Sequence, residues 1–169
     1  MTHGIRYGEG LNIMALVEPH IVAATAHRTP SVDLDMANWV SFLLSMGQVT
    51  SGAATTGATC TMTVEVSTAS TGTAPTLIAF DYRLSSALGT NSFGTILHGT
   101  SDGVVLTAGL GGFTNKLLLI DVDPSNAAAH GTNCRFLALN VTFDTTLTTA
   151  AVCGIVEPKY PGNAIPSSS

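Results

Sequence analysis

Charged residues are scarce in this sequence of 169 residues. They make up 10% of the chain, compared with about 25% in typical domains. The formal net charge is −5, and the six cationic residues are spread along the chain without forming a basic cluster: Arg6, Arg28, Lys116, Arg83, Arg135 and Lys159. We therefore expect no direct binding of nucleic acid, which requires a basic surface.

Long hydrophobic runs are also missing. Hydrophobic residues account for 45% of the chain, but no run approaches the roughly 18 apolar residues that a membrane-spanning helix requires. The opening segment MTHGIRYGEG (1–10) has no apolar core and no cleavage motif, so we expect neither a signal peptide nor a membrane partner. The product is therefore expected to be made in the host cytoplasm and not to be secreted through a signal peptide.

Cysteine is rare, with three residues at wide spacings: Cys60, Cys134 and Cys153. All three lie in segments predicted as strands. An odd number of cysteines without a signal peptide favours reduced, buried thiols, with a disulfide as the alternative.

Two interpretations fit a chain that is apolar in composition but poor in charge. One is a large core beneath a surface rich in Thr, Ser and Gly. The other is that neighbouring subunits cover much of the surface, because interface cores are depleted in charge. We prefer the second, since a lone monomer with so few charges is expected to be poorly soluble.

The clearest strand is CRFLALNVTF (134–143), in which apolar and polar positions alternate. Its predicted partner is the preceding segment KLLLIDV (116–122), closed by a turn at 123–126. Alternation also predicts a strand at Val40–Met46, with a helix over 33–46 as the alternative, and a strand at Cys60–Val66. Further strands are predicted at 76–83, 103–110 and 149–157.

About eight to ten strands with intervening loops indicate an all-β fold, an antiparallel two-sheet sandwich. A jelly roll is the first choice and an immunoglobulin-like order the second. We predict an extended N-terminal arm over 1–20, one β-sandwich domain over 21–157, and a flexible C-terminal tail rich in Pro and Ser over 158–169. Within the arm, Pro19 predicts an edge or a bend, because proline cannot donate a ladder hydrogen bond.

No metal or cofactor site is expected. The five histidines form no HxH or HExxH pair: His3, His20, His27, His98 and His130. Asp33 with Asp35, and Asp121 with Asp123, share a strand face and could hold calcium. Asp33 and Asp123 stand at positions where aspartate bonds the local backbone, and we prefer that interpretation.

No catalytic residues are predicted, so the chain is expected not to be an enzyme. There is no GxSxG motif, and Cys60 lies on an apolar strand face where a thiol is unreactive. Glycoside hydrolysis requires two carboxylates from different segments. Glu65, Asp81 and Asp144 are candidates, but only in the sense that any two carboxylates are. The GLGG segment (109–112) is no phosphate loop, and the sequon at Asn140 lies inside a predicted strand.

The single tryptophan, Trp39, and Phe42 are expected to anchor the core rather than to stack on a sugar. Sugar-binding jelly rolls usually display several exposed aromatic residues, whereas aromatic residues here total 6%.

Several segments resemble a family of small structural proteins encoded among the virion genes of tailed bacteriophages. The resemblance covers about residues 30–162 and lies in patterns of strand and turn. It is carried by VDLDMANWVSFLLSMGQVTSGAATTGATCTMTVEVSTAS (32–70), LIAFDYR (77–83), KLLLIDVDPS (116–125), CRFLALNVTF (134–143) and AVCGIVEPKYPG (151–162), with the closing Tyr160-Pro161.

The resemblance implies a capsid decoration, or cement, protein: a β-sandwich or jelly-roll subunit on the virion capsid surface. It implies two partners, the major capsid protein and further copies of this chain as a homotrimer, and no catalytic residues. The arm and tail would contribute capsid contacts. The alternative is a phage tail or baseplate module, or one that binds host glycans, and an enzyme on a jelly-roll scaffold comes third.

Overall fold

The chain is described here from a computed structural model, which covers residues 12–22, 25–48, 57–86, 92–107, 113–125, 134–144, 147–159 and 167–168. These residues form thirteen β-strands and one short 3-10 turn at Leu34–Met36. The strands are β1 (Asn12–Val22), β2 (Ala26–Arg28), β3 (Ser31–Asp33), β4 (Ala37–Met46), β5 (Thr59–Ser67), β6 (Thr76–Ile78), β7 (Phe80–Leu84), β8 (Leu97–Gly99), β9 (Val104–Thr107), β10 (Lys116–Val122), β11 (Phe136–Phe143), β12 (Leu147–Pro158) and β13 (Ser167–Ser168).

The strands form two antiparallel sheets that pack face to face. The first sheet has the order β1-β12-β4-β10-β7-β8. The second sheet has the order β13-β3-β11-β5-β6, with β2 also paired to β11 and β9 also paired to β5. This is the two-sheet sandwich that the alternating segments predict.

The pairing pattern is that of a jelly roll, which was the first choice from the sequence. Four nested pairs alternate between the sheets: β1 with β12, β2 and β3 with β11, β4 with β10, and β5 with β6. Such nesting arises when one long antiparallel hairpin rolls into two Greek keys. Strands β7 and β8 extend the first sheet beyond β10.

The core lies between the sheets and follows the period-two pattern of the sequence. On β4, Val40, Phe42, Leu44 and Met46 are all buried, as the strand prediction requires. The alternative helix over 33–46 is wrong except for the single 3-10 turn. Strands β5 and β11 fill the opposite side with Cys60, Met62, Val64, Val66, Leu137, Leu139, Val141 and Phe143.

The predicted pairing of KLLLIDV with CRFLALNVTF is wrong. Strand β10 lies in the first sheet, between β4 and β7, whereas β11 lies in the second sheet beside β5. In this jelly roll the chain crosses from the first sheet to the second between β10 and β11, so these two strands cannot pair although they are neighbours along the sequence. Both segments are internal strands, as their apolar character indicates, but of different sheets.

The segment TLIAFDYR (76–83) is also not one strand. Residues Thr76–Ile78 form β6 of the second sheet, and Phe80–Leu84 form β7 of the first, so the chain changes sheets at Ala79. Alternation continues through this point because Ile78 and Phe80 are both buried in the shared core. The sequence pattern therefore hides the crossover.

The predicted N-terminal arm is wrong for residues 12–20, which belong to β1 and pair with β12. β1 is the edge strand of the first sheet, and its register shifts between Val17 and His20. Pro19 therefore lies in an edge strand, at an irregularity of the register, as its missing N–H group predicts. Residues 1–11 lie outside the described part of the chain.

Two predictions near other strand ends also need correction. Ser167 and Ser168, predicted to lie in a flexible tail, form β13 and pair with Val32 and Ser31, because β3 offers free backbone groups at the sheet edge. Cys134 precedes β11 instead of lying within it. The Tyr160-Pro161 motif lies outside the described residues.

Candidate functional site: the outer face of the first sheet

The outer face of the first sheet carries one row of side chains that crosses all six strands. Residues that pair directly across an antiparallel sheet project from the same face. The register places them in this order, from one edge to the other: Ile13, Ile155, Ser41, Asp121, Asp81 and His98. The row is therefore apolar at the β1 edge and acidic at the β8 edge.

Hydrogen bonds fix the polar half of this row. Trp39 Nε1 donates to Ser41 Oγ at 3.2 Å, and Ser41 Oγ donates to Asp121 Oδ1 at 2.6 Å. Arg83 Nη2 donates to Asp121 Oδ2 at 3.1 Å, and Arg83 Nε is buried without a hydrogen-bond partner. These bonds hold Asp121 and the Trp39 indole in defined positions.

A shallow cleft of about 120 Å³ lies over the acidic half of the face. His98 Nδ1 donates to Asp81 Oδ1 at 2.6 Å on one side of it. Asp123 contributes a third carboxylate, and the Trp39 ring forms part of the wall. The cleft thus combines one aromatic surface with three acidic side chains.

Trp39 does not anchor the core, contrary to the prediction from the sequence. Its side chain is 40% exposed, whereas Phe42 is fully buried. The two residues are three positions apart on one strand, so they project from opposite faces. The exposed tryptophan is the one feature of this face that favours ligand stacking.

Apolar side chains on the outer face of the first sheet form a contiguous patch, which we call the outer band. A second cross-strand row runs through Ala15, Cys153, Leu43, Leu119 and Arg83. Within the outer band, Ile13 is 59% exposed and the other members are partly exposed. The outer band consists of Ile13, Leu43, Leu117, Leu119, Cys153 and Ile155.

The centre of the outer face of the second sheet is polar by comparison, although Val105 (60% exposed) and Leu77 (38% exposed) lie on the same face on the flanking strands β9 and β6. Its centre carries Thr61 and Thr63 on β5, beside Asn140 and Thr142 on β11. Glu65 is buried there, where it accepts hydrogen bonds from Asn140 Nδ2 at 2.6 Å and from Arg28 Nε. Antiparallel sheets exposed on one face normally show such polar residues at their centre, so the outer band, which crosses the central strands of the first sheet, sets that face apart.

The aspartate pairs make the local contacts that were preferred over calcium binding. Asp33 Oδ1 accepts the backbone N–H of Asp35 at 3.0 Å, and Asp123 Oδ1 accepts that of Ser125 at 2.8 Å. Arg135 also binds Asp33. Hydrogen bonding from Arg135 lowers the pKa of Asp33 below its ordinary value of 3.8, although burial acts in the opposite direction.

The three carboxylates considered for hydrolysis do not come together. Glu65 lies on the second sheet and Asp81 on the first. Asp144 instead accepts hydrogen bonds from Thr59 N and Oγ1, at 2.7 and 2.8 Å. Thr59 and Glu65 are six residues apart on one strand, or roughly 20 Å.

The cysteines are free thiols, as expected, but only Cys60 is buried. Burial, with a smaller contribution from Asp144, raises its pKa to about 12. Cys134 and Cys153 are partly exposed, so the expectation that all three are buried is wrong. The sequon residue Asn140 lies inside β11, as predicted.

Among the residues that the structure describes, no group of three or more His, Cys, Asp or Glu side chains is arranged to hold a metal ion. The histidines His3 and His130 and the GLGG segment lie outside that part of the chain. Within the same residues, no helix has the length and apolar character needed to cross a membrane.

Comparison with known proteins gives weak structural similarities. No protein-family model matches the sequence, and no curated protein matches it. A chain from a structure of Desmodium yellow mottle tymovirus is 6% identical, with 97% of this chain and 98% of that chain covered and a TM-score of 0.28. A chain from a structure of infectious bursal disease virus, Gt strain, is 10% identical, with coverages of 94% and 43% and a TM-score of 0.26. Scores this low carry no argument about function.

The outer band has a signal in the sequence. Leu117, Leu118, Leu119 and Ile120 are consecutive, so β10 is apolar on both faces. The outer face of β10 therefore carries apolar side chains where a strand with one solvated face normally carries polar ones.

Proposed function

We propose that this chain is a non-enzymatic structural subunit of a virus particle. In its specific form, the proposal is that it binds the outside of a tailed-phage capsid and stabilises the shell by bridging capsomers. The observation that carries the proposal is the outer band, a contiguous apolar patch on one outer face of a rigid sandwich. Contiguous patches of this kind are typical of protein interaction sites.

Three further observations support an assembly subunit. Charged residues make up 10% of the chain, which suits a surface that neighbouring subunits cover. The jelly roll provides a rigid body that does not need to reorganise on docking. The strand and turn patterns of residues 30–162 resemble virion structural proteins of tailed phages, whose implied partners are the major capsid protein and further copies of the same chain, as a homotrimer.

The physical role of such a subunit is to add binding energy at seams of the shell. Packaged DNA exerts pressure on a capsid, and contacts that span two capsomers must break before the seam opens. A standard interface buries about 800 Å² on each partner, so binding two capsomers at once would couple them through one rigid sandwich.

A knockout tests this function. Particles assembled without the gene should release their DNA at a lower temperature than complete particles, and added purified chain should restore the higher release temperature. Equal release temperatures with and without the chain would overturn the bridging role.

Binding of a host glycan is the second candidate, and the exposed Trp39 beside the acidic cleft favours it. An aromatic ring offers a stacking surface for a sugar, and carboxylates accept hydrogen bonds from its hydroxyl groups. Binding of host cells that is lost in Trp39→Ala, while the variant still occupies particles, would support this candidate. Unchanged binding of host cells by Trp39→Ala would remove it.

A further inference from the structure

We infer that the outer face of the first sheet docks against a protein other than this chain, and that this partner presents an apolar surface with a Lys or Arg side chain that enters the acidic cleft. The inference rests on the proposed function, because it specifies the chemistry of the partner within a virus particle. It also goes beyond that function by assigning the docking surface.

The size of the outer band suits the centre of a protein interface. From β1 to β10 the band spans three strand spacings of about 4.8 Å, and its members lie in three cross-strand rows that together cover about five residue positions in the strand direction. With the reach of the side chains this amounts to roughly 300 Å², which is the size of large functional patches on monomers. A standard interface of about 800 Å² per partner would then bury the outer band at its centre. The polar half of the first row, from Ser41 to His98, would lie at its rim.

Charge indicates what the partner carries at that rim. Asp81, Asp121 and Asp123 contribute three carboxylates to the cleft. Among the described residues, the basic side chains that contact them are Arg83, paired with Asp121, and His98, hydrogen-bonded to Asp81. Trp39 adds a ring face. Carboxylates beside an aromatic ring attract a guanidinium or ammonium group through both ion pairing and cation–π contact.

A second copy of this chain is a poor fit to the acidic cleft. The five cationic side chains of the described residues are already engaged, so a copy could insert one of these only by breaking an existing contact; Arg6 lies outside the described residues. Arg135 contacts Asp33 and Asp35, and Lys159 donates to a backbone carbonyl. The other three are Arg28, paired with Glu65, Arg83, paired with Asp121, and Lys116, which also has an interaction partner.

Photo-cross-linking in assembled particles tests the surface. We would place p-benzoyl-phenylalanine at Leu43, in the centre of the outer band, and at Thr63, on the polar face of the second sheet, as the matched control. We expect the Leu43 variant to cross-link to a different virion protein, at a peptide that contains Lys or Arg, and the Thr63 variant to give at most a weak product. Cross-links to another copy of this chain or to its own residues 1–11, or cross-linking to another protein from Thr63 alone, would overturn the inference.

A charge reversal tests the cleft. Asp81→Lys places a cation at the proposed position of the partner's cation, and Asp102→Lys makes the same change of net charge on an exposed turn outside the cleft. Binding to purified particles assembled without this chain should weaken at least tenfold for Asp81→Lys and remain unchanged for Asp102→Lys, with equal melting temperatures. Equal binding of both variants would refute the charge assignment.

The proposed function and the docking surface would be disproved by different results. If wild-type chain does not bind particles at all, the proposed function falls and the docking assignment falls with it. If wild-type chain binds but the Leu43 and Asp81 variants behave like their controls, the docking assignment alone is wrong.

Discussion

Arg135 binds Asp33 through two hydrogen bonds, although 102 residues separate them in the sequence. Nε donates to Oδ1 at 2.9 Å, and Nη2 donates to Oδ2 at 2.5 Å. Asp33 ends β3 and Arg135 precedes β11, so the pair fastens the start of one strand to the end of its neighbour. Because Asp33 is buried, this ion pair matters more than a surface pair would.

The Asp33–Arg135 pair should make stability depend on acid pH. The pKa of Asp33 is lowered in the folded chain, so the pair contributes fully above the ordinary value of 3.8. Its contribution is lost as the pH falls below 3.8 through the lowered pKa. Chemical denaturation from pH 7 to pH 2.5 should therefore show wild type losing its advantage over Asp33→Asn in that window. An advantage that stays constant to pH 2.5 would contradict the assignment, and Asp102→Asn serves as the control.

Removing Arg28 should strongly destabilise the fold. Glu65 is buried, and Arg28→Met would leave its carboxylate with Asn140 as its remaining side-chain partner. We expect the free energy of unfolding to fall by about 3 kcal/mol, the cost of breaking a buried ion pair. The double variant Arg28→Met with Glu65→Leu should recover part of this loss in urea denaturation, because no buried charge remains. A double variant less stable than Arg28→Met would show that the unpaired Glu65 carboxylate is not the source of the loss.

Two glycines provide a matched test of backbone geometry. Gly103 has φ +90°, and an added Cβ would lie 2.5 Å from the carbonyl oxygen of Met62, whereas a Cβ at Gly57 would meet nothing within 4 Å. Gly103→Ala should therefore lower the free energy of unfolding by about 2 kcal/mol or more, and Gly57→Ala should change it little. Equal melting temperatures for the two variants would contradict the position of the turn before β9.

The three thiols should differ in reactivity. Burial raises the pKa of Cys60 to about 12, so at pH 8 only about one thiol in ten thousand is ionised. Iodoacetamide should label the partly exposed Cys134 and Cys153 in the native chain, and Cys60 only after unfolding. Mass spectrometry of the labelled peptides measures this directly. If native Cys60 is labelled as fast as Cys134, the Cys60 thiol is accessible to the reagent and the assignment of its burial is wrong.

Local periodicity predicted the strands but not their partners. The alternation in β4, β5 and β11 reflects burial of every second side chain, which depends on the nearby sequence alone. The neighbour of β11 depends on how the two sheets roll together, and β5 and β10 are both apolar enough to fill that position. The pairing of β10 with β11 was wrong because the choice is set by contacts across the whole chain.

In the candidate site, too, some features follow from the local sequence and others depend on how distant strands pair. The alternation of β4 already placed Trp39 opposite Phe42, so its exposure could have been predicted from the strand itself. The row from Ile13 to His98 could not, because it requires the register of six strands. Burial of Glu65 was likewise missed, since its partners Arg28 and Asn140 lie on two other strands.

The central claim is that this chain is a structural subunit of a virus particle. The most direct measurement is its copy number in purified particles, determined by quantitative mass spectrometry after a high-salt wash. We predict a fixed copy number relative to the major capsid protein that is the same from one preparation to the next. Absence of the chain from washed particles, or trace amounts that vary between preparations, would contradict the claim.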